Sequence, residues 1–140
     1  MSPGTYLRKR REAAGLSIED VLARIGTEPP VPEHHRREWL VLIEADAMRP
    51  DAFAIYALRQ CYRFDGEVLD RLIDLQYFGA RLPGPRLCRE CGCSQLDPCA
   101  DATGQPCGWA ERDLCTWCTN GAPCAAAMPV PPGDAIGRAA

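Results

Sequence analysis

The 140-residue sequence contains no run approaching the roughly 18 apolar residues of a membrane span. Its start, MSPGTYLRKRREAAG, has no apolar stretch of the kind a secretory signal requires, which predicts a cytoplasmic protein away from membranes. Histidine is scarce. His34 and His35 are the only two, and no Ser/His/Asp set, phosphate loop or paired-carboxylate constellation accompanies them, so no catalytic residue is assigned and an enzyme is not expected. A large excess of positive charge is also missing. The net charge of -3 argues against indiscriminate coating of nucleic acid while leaving room for a local basic patch. There are no internal repeats, and before Cys88 no stretch alternates with period two over strand length.

Cysteine is abundant, and it is concentrated. Seven of the nine cysteines fall in the 31 residues CRECGCSQLDPCADATGQPCGWAERDLCTWC, from Cys88 to Cys118. Two Cys-x-x-Cys pairs, Cys88/Cys91 and Cys115/Cys118, bracket this stretch with 23 residues between them, the double-knuckle spacing of a zinc site, slightly longer than the usual template. A two-residue gap lets both thiolates of a pair face one tetrahedral ion, and Gly92 supplies an unhindered backbone after the first pair. The other apolar side chains here are mainly Leu96, Trp109, Leu114 and Trp117, too few to bury a core, so the segment needs metal or disulfides to fold. A reducing compartment favours metal over disulfides. Cys93, Cys99 and Cys107 lie between the pairs, either completing a second or shared thiolate site or remaining spare. Zinc is the expected cofactor. An iron–sulfur cluster is the alternative, although its usual C-x2-C-x2-C run is shortened here by the early arrival of Cys93. A catalytic thiol lacks a neighbouring histidine.

The chain before Cys88 reads as five helices. Thr5 is placed to cap the first, Tyr6 to Ala14, and Gly15 to end it in the left-handed conformation. Ser17 to Asp20 forms a capping-box-like start for the second, with Val21, Leu22 and Ile25 as its apolar stripe. A proline-rich loop, Thr27 to Pro32, leads to a third helix from Glu33 to Ala45 carrying Trp39, Leu40, Leu42 and Ile43. The fourth runs from Asp51 to about Tyr62, with Cys61 a small core residue rather than a ligand. Asp65 caps the fifth, where Val68, Leu69, Leu72 and Ile73 keep the helical period. The expected organisation is an all-α domain over residues 1–80, a linker at 81–87 stiffened by two prolines, a metal-stabilised module at 88–118, and a disordered Ala/Pro/Gly-rich tail at 119–140 that holds Cys124 as a free thiol.

The segments LRKRREAAGLSIEDVLARI, WLVLIEAD and RPDAFAIYALRQCYRFDGEVLDRL resemble the Cro/repressor-type, or xenobiotic-response-element-type, helix-turn-helix domain of bacterial and phage transcriptional regulators. Leu7, the Arg11 region with Gly15-Leu16-Ser17, Ala23, Ile43-Glu44, Pro50, Ala57-Leu58 and Val68-Leu69 carry the resemblance in order. Two departures accompany it: the proline-rich loop is an insertion within the helix-turn-helix, and the third helix is unusually apolar. The resemblance implies a DNA-binding regulator with double-stranded DNA as partner, and is compatible with a homodimer. Counting back from Glu44, it puts Arg36, Arg37, Glu38, Val41 and Leu42 where bases and phosphates would be met. The basic cluster on the first helix, Arg8, Lys9 and Arg10 beside Arg11, is either a solvated face or a set of phosphate contacts. The cysteine-rich end is similar to short modules with a Cys-x-x-Cys-Gly-Cys start and a Leu-Cys-x-x-Cys finish in phage- and prophage-type proteins, which implies metal binding. Two further functions compete: an adaptor whose apolar third helix and cysteine module bind protein, and an iron–sulfur redox-sensing regulator.

Overall fold

A computed structural model describes residues 1–101 and 103–121; the expectations for a disordered tail and for Cys124 fall outside these residues, apart from Thr119 to Gly121. Six helices and a two-stranded hairpin make up the described chain: α1 Pro3–Ala13, α2 Ile18–Arg24, α3 Glu33–Glu44, α4 Ala52–Arg59, α5 Gly66–Tyr77, β1 Trp109–Glu111, β2 Leu114–Cys115 and α6 Thr116–Thr119. The protein is thus mostly helical, with its cysteines gathered near the C-terminal end. Among the described residues no helix is long and apolar enough to cross a membrane.

Local chemistry sets the helix starts. At α1 the cap is Ser2 rather than Thr5: the Ser2 hydroxyl accepts the Thr5 N–H at 3.3 Å, and Pro3 takes the first helical position, where its missing donor costs nothing. At α2 the capping box is complete, with the Ser17 N–H donating to the Asp20 carboxylate at 2.8 Å and the Asp20 N–H donating to the Ser17 hydroxyl at 3.1 Å. Asp51 and Asp65 cap α4 and α5 with their carboxylates alone, which accept the N–H groups of Ala54 and of Glu67 and Val68. Gly15, at φ 70°, turns the chain out of α1 in the left-handed conformation.

The helices close around Leu7, Val21, Leu22, Leu40, Ile43, Leu58, Tyr62 and Leu69, all nearly or wholly buried, with α3 packed against α1 and α2, and α5 against α1. Cys61 is fully buried within this core, its thiol 3.4 Å from the Ala57 carbonyl. A buried ion pair ties α1 to α3. The Arg11 guanidinium donates to both Glu44 oxygens, at 2.7 and 2.8 Å, and to the Leu16 carbonyl at 2.8 Å. Such a bidentate fork fixes orientation as well as distance. It also holds the Arg11 proton more firmly than usual, the Glu44 hydrogen bond being the main cause.

The cysteine segment does not stand apart from the helices. Leu87, Leu114 and five of its cysteines belong to the same continuous buried cluster as the helical core. The end of the linker is likewise anchored: Arg86 lies over the Trp109 ring at 4.2 Å and donates to the Arg112 carbonyl at 2.7 Å. The short hairpin β1–β2 was not anticipated, because strands of three and two residues are too short to show an alternating pattern.

Candidate metal centre

Three pieces of backbone deliver the sulfurs. The first is the knuckle from Cys88 to Cys93, closed by the Gly92 N–H donating to the Cys88 carbonyl at 2.9 Å and the Cys88 N–H to the Cys93 carbonyl at 2.9 Å. Gly92 sits at φ 73°, and a Cβ there would come within 3.3 Å of both the Arg10 and Tyr6 side chains. The backbone conformation therefore favours glycine, and a side chain would also press on Arg10 and Tyr6. The second piece is the β1–β2 hairpin, whose last residue, Cys115, donates its N–H toward the Cys88 sulfur at 3.5 Å. One turn of α6 then brings Cys118 to the same side as Cys115. The third is the connecting loop, where the Cys107 N–H donates to the Cys99 carbonyl at 2.7 Å.

The sulfurs of Cys88, Cys91, Cys115 and Cys118 lie within 4.8 Å of one another. Four thiolates about one zinc at roughly 2.3 Å are separated by about 3.8 Å along each tetrahedral edge. Cys91 and Cys115 are 3.9 Å apart. A second group, Cys91, Cys93, Cys99 and Cys115, is equally compact and shares two members with the first. Cys93 in turn lies 3.8 Å from Cys107. This sulfur set could hold a metal ion. Cys61 belongs to neither group.

Crowding divides the thiols electrostatically. The hydrogen bond with the Cys93 thiol, helped by neighbouring donors, brings Cys91 down to about 5. The same bond pushes Cys93 up, since its loss of a proton would end that donation. Burial pushes Cys107, Cys115 and Cys118 up. A metal bound at Cys91, Cys115 and Cys118 would therefore meet one acidified thiol and two whose protons it must displace.

A buried charge cluster joins this centre to α1. Arg10, wholly inaccessible to solvent, donates to Asp97 at 3.0 Å, to the Arg63 carbonyl at 3.3 Å and to the Cys91 carbonyl at 3.5 Å. Arg63 reaches the other Asp97 oxygen at 3.0 Å. Asp97, in the loop between Cys93 and Cys99, is held in turn by the Ser94 hydroxyl, which accepts its N–H at 3.0 Å. The sequence did not single out Asp97, and it grouped Arg10 with its basic neighbours. Helical spacing separates them: Tyr6, Leu7, Arg10, Arg11 and Ala14 share the buried face, while Arg8 is exposed.

The remaining residues assigned to DNA contact are distributed unevenly. Arg10 has no surface to offer a phosphate. Lys9 is half-buried, its amino group 3.3 Å from the Glu90 carbonyl. Arg36 turns inward and donates to the Leu22 and Ile25 carbonyls at 2.8 and 2.6 Å, bracing the end of α2 against α3 across the inserted loop. Arg37 is half-exposed and pairs with Glu19 and Glu33. Glu38 and Val41 are exposed, and Leu42 is half-buried.

No protein-family model, curated protein or solved structure matches the chain.

Proposed function

We propose that this chain is a non-enzymatic helix-turn-helix DNA-binding regulator whose cysteine centre holds structural zinc through Cys88, Cys91, Cys115 and Cys118. The observation that carries the reading is the buried Arg11–Glu44 pair. Both residues belong to the stretches that resemble the repressor-type domain, and their bond sets the angle of α3 against α1. With α3 so held, His34, His35, Glu38 and Val41 are exposed, and Arg37 partly so. All of these except Val41 lie in the N-terminal half of the helix, the part that meets base edges in such domains. The duplex contacts then rest on Arg8 and Arg37, with Lys9 at the margin; Arg10 and Arg36 serve the fold. Zinc is favoured over an iron–sulfur cluster because the sulfurs are spaced for a single ion, whereas a cluster interposes iron and sulfide between its thiolates.

Three cationic contacts would give duplex binding a shallow salt dependence, the logarithmic slope falling by about 0.9 per phosphate neutralised. Binding of labelled random and genomic duplexes should be measured across salt concentrations, together with zinc content and the absorption spectrum. Retention of genomic fragments with a slope of about -2 to -3 supports the regulator. A slope near -5 would mean that Arg10 and Arg36 also reach phosphate, against their placement here.

An adaptor reading is favoured by one separate observation. Ile25, Val31, Trp39 and Phe53 line an apolar cavity beside the inserted loop, with Trp39 and Phe53 rings 6.4 Å apart and Phe53 more than half exposed. If no duplex is retained at low salt while a protein partner or a second copy of the chain is, the adaptor replaces the regulator.

A further inference from the structure

We infer that the cavity beside the inserted loop is a binding site for a small aromatic anion, a single-ring carboxylate, whose ring packs against Trp39 and Phe53 and whose carboxylate pairs with Arg36. The inference depends on neither zinc nor duplex binding. Ile25 just after α2, Val31 in the loop, Trp39 on α3 and Phe53 on α4 supply the apolar wall. The space they enclose measures about 160 Å³. An engineered apolar cavity of about 150 Å³ takes up benzene, so this one admits one six-membered ring and little more. The wall has its shape before any ligand arrives: the Thr27 hydroxyl accepts the Val31 N–H at 2.7 Å, which closes the loop, and the Trp39 and Phe53 rings stand 6.4 Å apart at 55°. Phe53 remains more than half exposed, leaving apolar surface for a ligand to cover.

Charge selects the anion. Arg36 also lines the cavity, and its Nη1 donates to the Leu22 and Ile25 carbonyls at 2.8 and 2.6 Å. Those acceptors orient the guanidinium without neutralising it. Its Nε–H is shut off from solvent and has no hydrogen-bond partner. Among the described residues Arg36 forms no ion pair, whereas Arg10, Arg11, Arg37, Arg63 and Arg89 each face a carboxylate. No acidic side chain lines the cavity. A cation drawn partly out of water against an apolar wall is stabilised by a counter-ion, and a carboxylate matches the planar fork of a guanidinium. A cationic ligand would be repelled, and a neutral ring would leave Arg36 as it is.

The test is an NMR titration of the isotope-labelled full chain with benzoate and, separately, with benzamide, which keeps the ring and lacks the charge. Benzoate should saturate, with shifts at the amides of Thr27, Val31, Trp39 and Phe53 and at the Arg36 guanidinium. Benzamide should bind at least about tenfold more weakly, the difference between a charged and a neutral hydrogen-bond partner. Arg36→Met should bring the two affinities together, and Val31→Phe, which narrows the cavity, should weaken both. Lack of saturation by about 10 mM benzoate overturns the inference, as does equal affinity of the wild-type chain for the two ligands. Shifts at the same residues that depend on protein concentration alone, and that benzoate does not reverse, would give the cavity to a second copy of the chain and overturn it as well. None of these results alters the reading of the cysteine centre or of the duplex contacts. The two wild-type titrations decide the matter even if Arg36→Met fails to fold.

Discussion

Between Pro3 and Tyr77 the chain buries Leu7, Val21, Leu22, Leu40, Ile43, Leu58 and Leu69, whereas among the described residues between Cys88 and Thr119 the buried hydrocarbon side chain is Leu114 and most of the remaining interior is sulfur. The first region is assembled from helices that each offer an apolar stripe, and its stability comes from removing hydrocarbon from water. The second has one hairpin of five strand residues and a four-residue helical turn, elements too small to persist alone. On the proposed reading, its order depends on what its thiols bind. Yet the two regions share a boundary in which a glycine, a tyrosine and a pair of charged residues interlock, so the sulfur-rich region leans on the hydrocarbon-rich one.

Metal removal should separate the two most sharply. Zinc binding in small thiolate sites contributes on the order of 10 kcal/mol or more. Under a strong chelator, amides of residues 88–119 should exchange at nearly unfolded rates, α2 to α5 should stay protected, and α1 should lose part of its protection because the partners of Arg10 have gone. Undiminished protection in the cysteine segment would show that it folds without metal. The next largest effect belongs to the boundary itself. Arg10→Ala leaves Asp97 buried with Arg63 alone and should cost about 3–5 kcal/mol in urea unfolding. Arg8→Ala, on the exposed face two residues earlier, should stay within about 0.5 kcal/mol. Equal effects would mean that Arg10 is not interred.

Within the helical region the contrast between adjacent arginines is smaller and equally definite. Arg36→Ala removes two charge-assisted bonds to the end of α2 and should cost about 1.5–3 kcal/mol while leaving any salt slope of duplex binding unchanged. Arg37→Ala should barely alter stability and should reduce that slope by about 0.9. The reverse pattern would exchange their roles. Below the cost of Arg36→Ala, Cys61→Ala should cost about 1–2 kcal/mol with no loss of metal. Burial pushes the Cys61 thiol up to about 11, so it stays protonated at neutral pH and should resist alkylation in the native protein. A fall in metal content on this substitution would mean that the helical core contributes a ligand.

The helical region was legible because its signals are local. Ser17, Asp51 and Asp65 cap the helices they were expected to start or precede, and the apolar periods of α2 and α5 match their buried faces. Thr5 misled because Ser2 and Pro3 offered an equally good start one turn earlier. The paired cysteines announced the first sulfur group through spacing alone. The overlap with Cys93 and Cys99 was not written in any spacing, since it depends on the hairpin returning Cys115 beside the knuckle. The joint between the regions was hidden for a different reason. In the run Arg8-Lys9-Arg10-Arg11 composition reads as one basic patch, and only the sharing of a face with Tyr6 and Leu7 marks Arg10 as inward.

The bond between Arg10 and Asp97 spans 87 positions of sequence. At ribosomal rates of roughly 5–20 residues per second, Arg10 therefore precedes its partner by about 4–17 s during synthesis. Once the chain through Tyr77 has been made, the nascent helical bundle presents Tyr6 and a guanidinium still lacking its carboxylate on an uncovered flank, and the cysteines emerge opposite it. The bundle serves as the template on which the thiols are gathered, and a later-translated section closes over an earlier one.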